Sequence, residues 1–96
     1  MAGLELSSKD ARRLLKFAQH LIRLPSPSGK EERVAMRLAE EMERVGFSDV
    51  HTDSMGNVIG CIGNGRGPTL LFDGHMDTVG CGDIADWPYG PYEGKI

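Results

Sequence analysis

The sequence of 96 residues is poor in cysteine and contains no long apolar run. Its two cysteines, Cys61 and Cys81, lie twenty positions apart without a CxxC spacing. This count excludes a disulfide scaffold and a zinc knuckle, and it is typical of a protein of the reducing cytoplasm. No stretch approaches the length of a membrane span. We therefore expect a cytoplasmic protein without a membrane partner.

An excess of charge of one sign is also lacking. The net charge is −3, and acidic and basic residues are interspersed along the chain, which predicts no nucleic-acid partner. Hydrophobic residues make up 40% and charged residues 26%, as in an ordinary globular chain of at most one domain. The glycine-rich residues 63–67 lack the features of a phosphate loop and of a dinucleotide fingerprint, so they are interpreted as a turn.

The first half predicts two amphipathic helices. One is expected near residues 8–24, capped by Ser7 and ending before Pro25. The other is expected near residues 29–45, with a capping box of Ser28 and Glu31 and a left-handed cap at Gly46. The apolar stripes expected to be buried are Ala11, Leu14, Leu15, Ala18, Leu21 and Ile22 in the first helix, and Val34, Ala35, Leu38, Met42 and Val45 in the second.

The second half predicts short strands. Residues 50–52 and 58–62 flank a Met-Gly-Asn turn and favour a hairpin. Residues 69–73 form a continuous apolar run between Pro68 and Gly74, which is typical of a buried central strand. Two helices, a hairpin and a buried central strand together predict the α/β class.

Three ionisable side chains end this run: Asp73, His75 and Asp77. In extended geometry they project to the same side, at the strand end where α/β sheets bind ligands. A neutral imidazole is a common zinc ligand, and its second nitrogen normally donates to a carboxylate. The His-x-Asp pattern alone is common enough to arise by chance. The other two histidines have no such setting: His20 is expected on a polar helix face and His51 in a strand, and neither is expected to be catalytic.

The segment LLFDGHMDTV resembles the first metal-binding motif of the di-zinc metallopeptidase and amidohydrolase family. That family contains aminoacylases, acetylornithine deacetylases, succinyl-diaminopimelate desuccinylases and glutamate carboxypeptidases. The segments LIRLPSPSGKEERVA, EEMERVGF, TDSMGNVIG and WPYGPYEGKI extend the resemblance over nearly the whole chain. It implies that His75 is a zinc ligand and that Asp77 is the catalytic-site carboxylate holding it. Asp73 is not a ligand in the family, and we expect it to form local hydrogen bonds.

The resemblance further implies the amino-terminal part of a three-layer, zinc-peptidase-like catalytic domain. The whole protein would hydrolyse an amide bond in N-acyl amino acids or small peptides, using water activated by two zinc ions, with cobalt as a substitute. The segment GHMDTVGCGDIADW is most similar to the deacetylase and desuccinylase branch of the family. The resemblance also implies that the parent protein forms a homodimer. The other metal ligands and the general-base glutamate lie beyond Ile96 in the family. Residues 1–96 are therefore expected to be an incomplete segment, inactive by itself.

Two other classes of protein stay open. A binding or scaffold module would keep the family fold while its His-x-Asp pair does no chemistry. A nucleotide-binding α/β domain would use the glycine-rich turns, although neither phosphate-binding motif is present.

Overall fold

The computed structural model describes residues 5–96. They divide into two compact units, one formed by Ser26–Gly80 and one formed by the described residues up to Pro25 together with Cys81–Ile96. None of the described helices has the length and apolar character needed to cross a membrane. The elements in chain order are α1 (Ser8–Ile22), α2 (Glu32–Arg44), β1 (Ser48–Thr52), β2 (Val58–Cys61) and a short 3₁₀ turn (Ile84–Asp86).

Helix α1 begins where the sequence predicts. The hydroxyl of Ser7 accepts a hydrogen bond from the amide of Asp10 at 3.0 Å, which satisfies one of the free amides of the first turn. The predicted burial of its apolar stripe is wrong, because α1 contains no buried residue and Leu14 is mostly exposed. Within the same unit, Gln19 of α1 donates a side-chain hydrogen bond to the carbonyl of Gly94, and Arg23, the residue that caps the helix, donates one to the carbonyl of Glu93.

Helix α2 ends in the predicted left-handed cap. Gly46 has a φ of 99°, the amide of Phe47 donates to the carbonyl of Met42 at 2.9 Å, and that of Gly46 donates to Glu43 at 3.1 Å. These two bonds form a Schellman motif, which satisfies carbonyls that the helix leaves free.

The predicted capping box of α2 is wrong. The N-cap is Glu31, whose side chain makes no cap hydrogen bond and instead accepts from the amide of Gly29 at 2.6 Å. The hydroxyl of Ser28 is not available to the helix, because it donates to the carboxylate of Asp77. A long-range contact has thus replaced the local one that the sequence pattern favours.

The predicted hairpin is confirmed. Strands β1 and β2 pair antiparallel, with His51 opposite Ile59. Asp53 closes the turn, since its carboxylate accepts from the amides of Met55 and Asn57 and from the side chain of Asn57. The hydrogen bonds from Asn57 hold the pKa of Asp53 below its ordinary value.

Helix α2 packs against this hairpin, and Gly60 of β2 marks the closest approach. A Cβ atom at Gly60 would lie 3.0 Å from the sulfur of Met42 and 3.0 Å from a ring carbon of Phe47. Val34 and Ala35 of α2 are the buried apolar residues of the described chain. The core is therefore small and centred on one face of α2.

We expect Gly60→Ala to destabilise the protein by about 1–3 kcal/mol, because the added methyl group overpacks the contact with Met42 and Phe47. Urea unfolding would measure this loss. Gly80→Ala is the matched control, since a Cβ there meets no atom within 4 Å, and its effect should stay within about 0.5 kcal/mol. Equal stability of the two variants would contradict close packing at Gly60.

The predicted central strand over residues 69–73 is wrong. These residues form no regular secondary structure, and Leu70, Leu71 and Phe72 are 80%, 89% and 89% exposed. A strand needs a neighbour for its backbone amides and carbonyls. In residues 5–96 the sheet consists of β1 and β2 alone, and residues 69–73 join neither of its two edges. The two helices and the hairpin remain compatible with a fragment of an α/β fold.

Candidate functional site

The candidate site lies in the unit Ser26–Gly80, where two segments distant in sequence meet. The hydroxyl of Ser26 donates to the carbonyl of Met76 at 2.8 Å, and the amide of Thr78 donates to the carbonyl of Ser26 at 2.8 Å. Pro27 and Thr78 form an isolated parallel β-bridge. Ser26 is 3% exposed and is the buried polar residue of the described chain. The backbone on both sides of Asp77 is therefore fixed by Ser26.

His75 and Asp77 lie in direct contact. The Nδ1 atom of His75 is 2.8 Å from the carbonyl oxygen of Asp77 and 3.1 Å from its Oδ1 atom. Both partners are acceptors, so Nδ1 carries the proton in the neutral ring. Nε2 then keeps its lone pair, on a side chain that is 83% exposed. This is the tautomer that a histidine needs to bind a metal through Nε2.

Asp77 connects the imidazole to Ser28. Its Oδ1 atom faces His75, while Oδ2 accepts a hydrogen bond of 2.5 Å from the hydroxyl of Ser28. The hydrogen bond from Ser28, with a further contribution from His75, holds the pKa of Asp77 below its ordinary value. The carboxylate is therefore ionised at neutral pH and acts as an acceptor toward both neighbours.

The remaining candidates lie apart from this contact. Asp73 is exposed and makes no hydrogen bond within residues 5–96, so its predicted local hydrogen bonds are wrong. His20 lies on the exposed side of α1. In β1, Nδ1 of His51 lies 3.0 Å from the carbonyl of Asp49 and 3.7 Å from its carboxylate. His51 thus has a similar local partner, but the carboxylate of Asp49 accepts no hydrogen bond from a hydroxyl group in the described part of the chain.

The described residues do not complete a metal site. Within residues 5–96, no three His, Cys, Asp or Glu side chains form a group that could hold a metal ion. A catalytic zinc site normally has three protein ligands and an open position. Nε2 of His75 fits one such ligand position, with Asp77 as the carboxylate behind it, and residues 5–96 bring no further ligands together beside it.

Sequence reasoning missed the roles of Ser26 and Ser28. Ser28 fitted a helix-cap pattern, and nothing local marks either serine as a partner of residues 76–78. Their hydrogen bonds to Met76 and Asp77 span 50 and 49 positions. The alternation of serine and proline in PSPSG was the available signal, and it indicates only a turn.

Known proteins resemble most of the chain. It is 49% identical over 82 residues to the uncharacterized protein YgeY of Escherichia coli (strain K12), which covers 84% of the chain and 20% of YgeY. It is 36% identical over 89 residues to succinyl-diaminopimelate desuccinylase of Methylorubrum extorquens (strain PA1), covering 85% and 23%. A protein named "Putative LysW-lysine/LysW-ornithine hydrolase", from Pyrococcus abyssi, is 43% identical over 65 residues, covering 68% and 19%.

These similarities confirm the resemblance found in the sequence. The matched relatives include a succinyl-diaminopimelate desuccinylase and a protein named as a hydrolase, which is consistent with the amidohydrolase and metallopeptidase family. It spans about a fifth of the length of the curated relatives it matches. No family model matches the chain, and no solved structure matches it significantly.

Proposed function

We propose that the protein carrying this chain is a metal-dependent hydrolase that cleaves an amide bond in N-acyl amino acids or small peptides. The observation that carries the proposal is the contact of His75 Nδ1 with two acceptors of Asp77, which leaves Nε2 available as a ligand. Two of the relatives support it, because their names describe a desuccinylase and a hydrolase.

The metal expected from the resemblance is a pair of zinc ions, with cobalt as a substitute. When bound, such a pair would polarise the amide carbonyl and would lower the pKa of a bound water molecule. This chain's share of the work is to present one imidazole in a fixed tautomer. Asp77 holds the proton on Nδ1 and limits the rotation of the ring. The other ligands and the general base belong to parts of the protein outside residues 1–96.

The proposal is tested with the full-length protein on N-succinyl and N-acetyl amino acids and on dipeptides. We expect turnover of at least one substrate class, its loss after treatment with a chelator, and its recovery with zinc or cobalt. The 96-residue chain assayed in parallel should show no turnover, because it offers one ligand. Turnover that resists the chelator would contradict metal dependence. Turnover by the 96-residue chain would contradict the proposal that the other ligands lie outside it. A full-length protein that is inactive on all three substrate classes would favour the non-catalytic binding or scaffold module.

A further inference from the structure

We infer that Ser28 is a positioning residue, whose hydroxyl fixes the Asp77 carboxylate in the orientation that directs the His75 imidazole. The inference deepens the proposed function and rests on it for the use made of His75.

The carboxylate of Asp77 is held at both oxygens. Ser28 donates to Oδ2 at 2.5 Å, and His75 Nδ1 lies 3.1 Å from Oδ1. The side chain of Asp77 is 42% exposed, so water can replace either partner when it is removed. With Ser28 in place, rotation of the carboxylate away from His75 breaks two hydrogen bonds instead of one. The hydroxyl therefore restricts the carboxylate to the orientation that faces the ring.

The backbone that carries Ser28 is itself fixed. Ser26, two residues before it, is buried and bonds to Met76 and Thr78, which flank Asp77. The amide of Lys30 donates to the carbonyl of Pro27 at 2.8 Å and closes a turn around Ser28. A hydroxyl delivered by a fixed turn loses little further entropy on forming its hydrogen bond, which makes it effective for positioning.

Helix capping does not account for Ser28. The N-cap of α2 is Glu31, and the Ser28 hydroxyl donates to Asp77. The side chain is exposed, so it fills no space in the core. Its contact with Asp77 is therefore the feature that a substitution would change.

The experiment uses ¹⁵N NMR of the His75 ring, which distinguishes the two neutral tautomers and needs neither metal nor turnover. Ser28→Val and Ser28→Thr form the matched pair, because they differ in a methyl against a hydroxyl. We expect the ratio of the Nδ1–H to the Nε2–H tautomer to fall about threefold in Ser28→Ala and Ser28→Val, as on partial loss of one hydrogen bond. The carbonyl of Asp77 still accepts from Nδ1 in these variants, so the Nδ1–H tautomer should remain favoured. Ser28→Thr and the exposed control Ser54→Ala should keep the original ratio.

Activity of the full-length protein gives the second readout. We expect Ser28→Ala to lower kcat/KM about tenfold, mainly through kcat, and Ser28→Thr to restore most of it. An unchanged tautomer ratio in folded Ser28→Ala or Ser28→Val would overturn the inference. So would unfolding of both these variants beside a folded Ser28→Thr, since that assigns the hydroxyl a structural role. If His75→Ala left hydrolysis intact, the role of His75 in the proposed function would fail, while the tautomer ratio would still test the contact of Ser28 with Asp77.

Discussion

His75→Ala in the full-length protein is expected to abolish amide hydrolysis, lowering kcat/KM by at least about a thousandfold. The substitution removes Nε2, the atom that we propose as a metal ligand. The side chain is 83% exposed, and its partner lies two positions along the chain. Unfolding is therefore not the expected cause, and urea denaturation should find the stability within about 0.5 kcal/mol of the parent. Steady-state kinetics and the content of bound zinc measure the effect.

His51→Ala is the matched control for this substitution. His51 also places Nδ1 on the carbonyl of an aspartate two positions away, at 3.0 Å. It differs in lacking a carboxylate that is anchored by a hydroxyl. We expect its kcat/KM to stay within about twofold of the parent value. A fully active His75→Ala variant, or an equal loss in His51→Ala, would remove the basis for assigning His75 to the site.

Asp77→Ala should cause the second largest loss. We expect kcat/KM and zinc affinity each to fall about 10–100-fold, the range found when the partner behind a metal-bound histidine is removed. Without the carboxylate the imidazole keeps only the backbone carbonyl as its acceptor, at 2.8 Å. The ring then rotates more freely and Nε2 is held less well. Kinetics and a zinc titration against a competing chelator would measure both losses.

Asp73→Asn tests whether the effect belongs to Asp77 or to negative charge near His75. Asp73 lies two positions before the histidine, is exposed, and has no hydrogen-bond partner within residues 5–96. We expect less than a twofold change in kcat/KM. If Asp73→Asn lost as much activity as Asp77→Ala, general electrostatics would explain the data better than orientation of the ring.

The elements that the sequence predicted well are those whose causes lie within a few residues. The Ser7 cap, the Gly46 cap and the hairpin turn are each formed by hydrogen bonds that span at most five positions. The contact of His75 with Asp77 has the same character, because its partners are two positions apart. Local pattern therefore predicts the geometry of the contact between His75 and Asp77.

The failures share a dependence on distant partners. The apolar run over residues 69–73 has the composition of a buried strand, yet no strand of the described chain pairs with it. The apolar stripe of α1 has helical spacing. The hydrogen bonds to the helix region from residues 93 and 94, however, are made by the polar side chains of Gln19 and Arg23. Ser28 fits a capping box and bonds to Asp77 instead. In each case the local composition is compatible with the predicted structure, but the partners present elsewhere in the chain determine which structure forms.

The bonds from Ser26 to Met76 and Thr78 also bear on the order in which the chain folds. The bond to Met76 joins residues 50 positions apart, and closing a loop of that length would cost about 3–4 kcal/mol of chain entropy. Helix α2 and the hairpin lie inside this loop and shorten it once they form. Local elements should therefore form first, and the pairing around Asp77 should form late. The amide of Thr78, bonded to Ser26, should then exchange with solvent through local openings that leave α2 folded.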